Sequence, residues 1–185
     1  MYSLRAFFVA ISIILFASCG DEVVIKPAAK LRLQYAPPSY KVVKLNCPYS
    51  FEKNANADVV LGNNCNVNLE YSNMKATMYL TYQKVDNNID ALLADAQKLT
   101  YDHTIKANEI FEQPRVDSIN KVYGMFYMIN GDAATQSQFY VTDSIHHFIT
   151  GALYFKSKPN FDSIYPAVVY LRDDIRRIME TVQWK

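Results

Sequence analysis

The chain has 185 residues, half of them hydrophobic and 14% aromatic, enough apolar material for one packed domain and too much for a disordered coat. Its 19 basic and 18 acidic side chains leave a formal charge of +1. Phosphate binding needs a clustered positive excess, so nucleic acid is not an expected partner.

A short head with one basic residue, Arg5, precedes an apolar run over residues 6–16. At about a dozen residues the run is shorter than the roughly 20 a membrane span needs. Its length and layout are those of a secretory signal. It ends in Phe16-Ala17-Ser18-Cys19: a large apolar residue, two small ones and a cysteine. This pattern resembles a lipobox, although Leu is commoner than Phe at the first position. The resemblance implies cleavage before Cys19 and a diacylglycerol on its thiol. An ordinary signal peptide with an incidental cysteine is the alternative. The expected division is a lipoprotein signal over 1–18, a lipidated tether over 19–39 and a single domain over 40–185.

With Cys19 acylated, Cys47 and Cys65 remain as a pair in an exported chain, where disulfides form. They are either bridged or two separate buried thiols. A bridge closing a loop of this size contributes about 3 kcal/mol in the loop-entropy account. A metal site on the pair lacks further ligands nearby in sequence.

The tether carries Pro27, Pro37 and Pro38 and no sustained periodicity. Leu31, Leu33 and Tyr35 alternate, as in a short docking strand. Asp21 and Glu22 resemble a surface-export signal of lipoproteins from Bacteroidetes-type bacteria; a solvated linker reads the same way.

Over residues 40–85 the pattern is β. Val42 and Val43, Tyr49 and Phe51, and residues 59–61 are short apolar groups, and Gly62-Asn63-Asn64 suits a hairpin turn. Val67, Leu69 and Tyr71, then Met78, Leu80 and Tyr82, alternate with mostly polar positions, so one face is packed. Asp86, Asn87 and Asn88 offer cap oxygens to a helix whose stripe is Ile89, Leu92, Leu93, Ala96 and Leu99. His103 extends that stripe, and the helix is expected to end near Ala107.

Strands return at 110–116, irregular at Pro114, and at 122–129, with Asn130-Gly131 as a tight turn. Strands at 138–142 and 148–155 complete a meander. A closing helix carries Pro166 in its first turn and buries Val168, Leu171, Ile175, Ile178, Met179 and Val182. Arg172, Asp173, Arg176, Arg177 and Glu180 fall mainly outside that stripe, with Asp173 and Arg177 an i,i+4 pair. The sum is an α+β fold, an antiparallel sheet flanked by two main helices. Its order resembles the folds of PsbP and Mog1.

Asp143-Ser144-Ile145-His146-His147 contains the residue types of a hydrolase triad. Neighbours in one turn cannot take up triad geometry, and no G-x-S-x-G elbow surrounds Ser144. His146 and His147 alternate across a strand, which separates them as metal ligands. Glu109 and Glu112 lack a paired acid that would make a glycosidase site. With no phosphate-cradling glycine loop either, the expectation is a protein without catalytic residues, metal or cofactor, apart from the covalent lipid on Cys19.

Several segments together carry a family resemblance. They are Cys47-Pro48-Tyr49-Ser50-Phe51, Tyr101-x-His103-Thr104-Ile105-Lys106-Ala107, Val122-Tyr123-Gly124 and Gln138-Phe139-Tyr140-Val141-Thr142-Asp143-Ser144. Phe148-x-x-Gly151-Ala152-Leu153-Tyr154-Phe155 and Pro159-Asn160-x-Asp162-Ser163 follow. Leu171-Arg172-x-Asp174-Ile175, Met179-Glu180-Thr181 and Trp184-Lys185 complete the set. In this order they resemble the gliding motility lipoprotein GldD family of Bacteroidetes-type bacteria. The match is loosest in the tether, at Lys30-Leu31-Arg32-Leu33. The resemblance implies a non-enzymatic lipoprotein of the cell envelope that supports the gliding and type IX secretion machinery through protein contacts. Its implied partners are a membrane, held through the lipid on Cys19, and envelope proteins of that apparatus; which membrane and face stays open. A lipid-anchored module for a small ligand or envelope glycan is the alternative.

Overall fold

The protein is described by a computed structural model over residues 35–102, 106–156 and 160–185. The signal over 1–18, Cys19, the Leu31 and Leu33 alternation, His103 and Pro159 lie outside the described residues. Among those described, no helix is long and apolar enough to cross a membrane.

Among the described residues, ten strands and two α-helices follow in the order expected of an α+β domain. The strands are β1 (Tyr40–Val43), β2 (Tyr49–Asn54), β3 (Asp58–Leu61), β4 (Val67–Tyr71) and β5 (Ala76–Lys84), then helix α1 (Ile89–Tyr101). After it come β6 (Ala107–Asp117), β7 (Val122–Gly131), β8 (Thr135–Thr142) and β9 (His147–Phe155). Helix α2 (Phe161–Glu180) and the short β10 (Gln183–Trp184) close the chain. Seven strands form one sheet in the order β3-β4-β5-β9-β8-β7-β6, and β1-β2-β10 form a second. All the pairings are antiparallel.

Helix α2 lies against β2 of the small sheet and β7, β8 and β9 of the large one. Its stripe of Val168, Leu171, Ile175, Ile178 and Met179 is buried, and Val182 beyond the helix is buried too. From Leu171 onward the stripe meets Phe51, Leu69, Met78, Phe126, Val141 and Leu153 in a single core. Each such side chain, fully buried, contributes about 1.5–3 kcal/mol of transfer free energy. Phe148 and Ile149 are neighbours on β9 and therefore point to opposite faces. Ile149 joins the α2 core, whereas Phe148 meets Leu92 and Ala96 of α1. The large sheet is thus covered by one helix on each face.

Several boundaries depart from the sequence pattern. Helix α1 stops at Tyr101, well before Ala107, because Ala107 already pairs with Gly131 at the start of β6. Strand β6 runs unbroken through Pro114, which sits opposite Met125. As an edge strand with a single neighbour it tolerates a residue without N–H. Asn130-Gly131 is no turn: both residues end β7, and Gly131 has φ +116° beside a bulge between Ala107 and Glu109. A Cβ there would stand 2.7 Å from the Asn108 backbone nitrogen. Glycine alone among residues takes that φ freely.

Helix α2 begins at Phe161, so Pro166 falls beyond its first turn. Asn160 caps the start by accepting from the Ser163 N–H, and the Phe161 N–H donates to Asp132 Oδ1 at 2.9 Å. Arg177 does not pair with Asp173. Its Nε and Nη2 donate to Glu52 Oε2 on β2, at 2.9 and 2.6 Å. Nor does Arg172 lie outside the packed face: its Nη2 reaches the Ile129 carbonyl at 3.1 Å and Asn130 Oδ1 at 2.6 Å on β7.

Between β3 and β4, Asn63–Cys65 makes a 3-10 turn, with Asn64 and Cys65 both at positive φ. Cys65 is paired there as a disulfide with Cys47, Cα–Cα 5.7 Å, tying the turn to the strand entry of β2. The Tyr49 hydroxyl donates to the Cys65 carbonyl at 2.7 Å beside it. Alkylation of the folded, unreduced protein is expected to leave both cysteines unmodified, with reaction only after reduction. Two labelled thiols before reduction would reject the bridge.

Candidate functional site

The most concentrated polar group in the fold is built around Asp174, an unexpected feature of the closing helix. It stands three residues after Leu171 and one before Ile175, so helical spacing sets it on the buried stripe. Only 1% of its surface is exposed. Its Oδ1 accepts from the Tyr40 hydroxyl at 2.7 Å. Its Oδ2 accepts from Asn54 Nδ2 and from the Tyr71 hydroxyl, each at 2.9 Å. The three donors come from β1, β2 and β4, so one carboxylate joins α2 to both sheets.

Asn54 is oriented by a second contact, because its Oδ1 accepts from the Asn56 N–H at 3.1 Å and leaves Nδ2 for the carboxylate. The same Nδ2 reaches the Tyr170 hydroxyl at 2.9 Å, and that hydroxyl donates to the Ala36 carbonyl at 2.9 Å. Burial pushes the Asp174 carboxyl above the ordinary range, and the donors from Tyr40, Asn54 and Tyr71 pull back against it. Burial first, then the hydrogen bond and charge of Asp174, raise the Tyr40 hydroxyl, and the same influences raise that of Tyr71, so both phenols stay protonated donors.

Beside this hub is a concavity of about 450 Å³. Tyr71 and Tyr170 form part of its wall, with Tyr35, Met74, Asn73 and Asp58 among the rest. The Tyr35 and Tyr170 rings are 5.0 Å apart, tilted by 41°. Close by in sequence, the buried Lys53 ammonium donates to the Asn54 carbonyl at 3.0 Å and to the Ala57 carbonyl. Burial, more than neighbouring charge, lowers its pKa. A smaller cavity of about 150 Å³ lies under α1, lined by Tyr79, Tyr127, Tyr140 and Tyr154.

The residues singled out from sequence do not gather here. Asp143 Oδ1 accepts the N–H groups of Ile145, His146 and His147 at 3.0, 2.8 and 2.8 Å, so its carboxylate is occupied in closing the turn. Ser144 sits in that turn at φ 69°. His146 is mostly exposed, 3.5 Å from Asp143 Oδ2. His147 stacks on Trp184 at 5.1 Å, and its Nδ1 meets the Tyr82 hydroxyl at 2.9 Å. Burial lowers the His147 pKa against the pull of Asp143. Glu109 and Glu112 are exposed on the edge strand β6, Glu112 accepting from the Tyr101 hydroxyl. Among the described residues, no three His, Cys, Asp or Glu side chains converge as a metal site.

The raised carboxyl of Asp174 carries a pH signature. Its contribution to stability is complete below the ordinary carboxyl value of 3.8 and is lost as pH rises through the elevated folded value. Asp174→Asn removes that titration. In urea unfolding, the stability gap between variant and parent is therefore expected to move in the variant's favour as pH rises above 3.8. A constant gap would show that the three donors balance burial, and a gap that moves the other way that they outweigh it.

A family model described as gliding motility lipoprotein GldD matches residues 20–184. No curated protein and no solved structure matches the chain. The family match takes in both sheets and both helices, the Asp174 hub and the paired cysteines. On that coverage, the chain belongs to the gliding motility lipoprotein GldD family.

Proposed function

We propose that this protein is a lipid-anchored component of the cell envelope that supports the gliding apparatus, and the type IX secretion it shares, through protein contacts. The observation that carries this reading is the family match over residues 20–184. Its start falls one residue after Cys19, the residue that the lipobox-like Phe16-Ala17-Ser18-Cys19 offers for acylation in this reading. A diacylglycerol supplies two acyl chains, which is what stable anchoring without a spanning helix requires. Residues 1–18 then act as the signal, 19–39 as the tether and 40–185 as the body that meets partners. Catalytic residues are not needed for this role; what it needs is a packed body, and the sheet covered on both faces supplies one.

Deleting the gene is expected to abolish spreading, or in a strain that does not glide to impair export of type IX cargo. Normal spreading together with normal cargo export would overturn the reading. Metabolic labelling with a palmitate analogue tests the anchor separately: the parent is expected to label and Cys19→Ala to lose the label. Equal labelling of the two would place the lipid elsewhere or nowhere.

A further inference from the structure

The concavity beside Asp174 has a chemistry of its own. Its wall includes three phenol rings, Tyr35, Tyr71 and Tyr170, with the thioether of Met74. Among the described residues that line it, the charged side chain is the exposed carboxylate of Asp58, and no Lys or Arg is among them. Asn56, Ser72 and Asn73 add neutral polar groups, and a carboxylate without a cation among the described lining residues disfavours phosphates and other anions. Aromatic faces carry negative quadrupole density and attract cations.

The second layer has the same sign. Tyr71 donates to Asp174, and Asn54 Nδ2 joins the Asp174 carboxylate to the Tyr170 hydroxyl. Among the described residues no Lys, Arg or His forms an ion pair with Asp174. Phenols that donate to a carboxylate or a carbonyl gain electron density on their rings. Tyr71 does so through Asp174, and Tyr170 through the Ala36 carbonyl. The ammonium of Lys53 feels the charge of Asp58, but it is held by the Asn54 and Ala57 carbonyls and is not among the lining residues. At about 450 Å³ the space falls within the range of ligand clefts, about 300–1,000 Å³.

We propose that this tyrosine-walled concavity binds an alkylammonium group, the head of a lysine side chain presented by a partner protein. The half-exposed Tyr35 and Tyr170 rings meet the ammonium and its methylenes, with the buried Tyr71 behind them, and Asp58 supplies the counter-charge at the mouth. The partner's being a protein rests on the reading above; the preference for an ammonium rests on the lining alone.

The test is an NMR titration of the full-length chain in detergent micelles with Nα-acetyl-lysine methylamide, read at the Tyr35 and Tyr170 rings. Saturable shifts are expected with the lysine amide and none with the neutral Nα-acetyl-norleucine methylamide. Tyr35→Leu and Asp58→Asn change partly or largely exposed side chains, so the fold is expected to persist in both. Each is expected to weaken binding about two- to five-fold, the size of one exposed cation–π contact. Equal binding of the norleucine compound, or unchanged affinity in both variants, would overturn the proposal. So would a response confined to phosphatidylethanolamine vesicles, which would assign the site to a lipid headgroup. A site that binds the lysine amide in a protein whose deletion leaves gliding and secretion normal keeps the pocket and removes the gliding reading. Lost gliding without any binding does the reverse.

Discussion

A carboxylate buried to 1% exposure is costly unless its oxygens are satisfied, and at Asp174 the satisfaction is spread over three strands. That constraint shapes the rest of the domain. Tyr40, Asn54 and Tyr71 must arrive together, which ties the register of β1, β2 and β4 to the rotation of α2. Around the hub, Leu171, Ile175 and Ile178 supply the non-directional burial. The hydrophobic stripe holds α2 down, while the polar hub decides where along its length and at what rotation it is held. Removing the acceptor would leave three donors without the carboxylate that pairs them.

The two faces of the large sheet are used differently. The α2 face is a dense apolar core shared with the small sheet, whereas the α1 face is held by fewer contacts and leaves tyrosines around a cavity. Thr100 on α1 donates to Gln138 Oε1 at 2.7 Å, a polar substitute for the hydrophobic anchoring that α2 enjoys. At the far end of the chain, Trp184 stacks on His147 and donates to the Lys121 carbonyl at 3.0 Å, and β10 joins the small sheet. The chain end thereby closes over the turn whose Ser, His and Asp suggested chemistry. Asp143 is spent on making that turn and His147 on stacking.

Much of the fold was legible because its strands alternate and its helices are one-sided. β4 and β5 appear near where period-two patterns place them, β8 and β9 near the strands of the expected meander, and both stripes face a sheet. The misreadings share one physical cause. Asn130-Gly131 has turn chemistry, yet pairing with β6 carries the strand through it, and glycine's freedom of φ serves a bulge. Pro114 looks like a breaker until β6 is known to be an edge. Asp173 and Arg177 are well spaced for each other, but Glu52 on another strand gives Arg177 a better-placed acceptor. In each case a long-range partner overrode a local preference worth a fraction of a kcal/mol.

The sequence by itself determined the α+β class, the order of the elements, their buried faces and, through scattered short segments, the GldD family. Those properties depend on periodicity and on local residue chemistry, both of which are written along the chain. Only the tertiary structure decided that Asp174 is a hub and that Tyr35, Tyr71 and Tyr170 share a wall. Tyr40 and Asp174 are 134 positions apart, and Tyr71 and Asp174 are 103 apart. No periodicity connects residues at such separations. A charged residue in a helix reads as solvent-facing until the strands that surround it are in place.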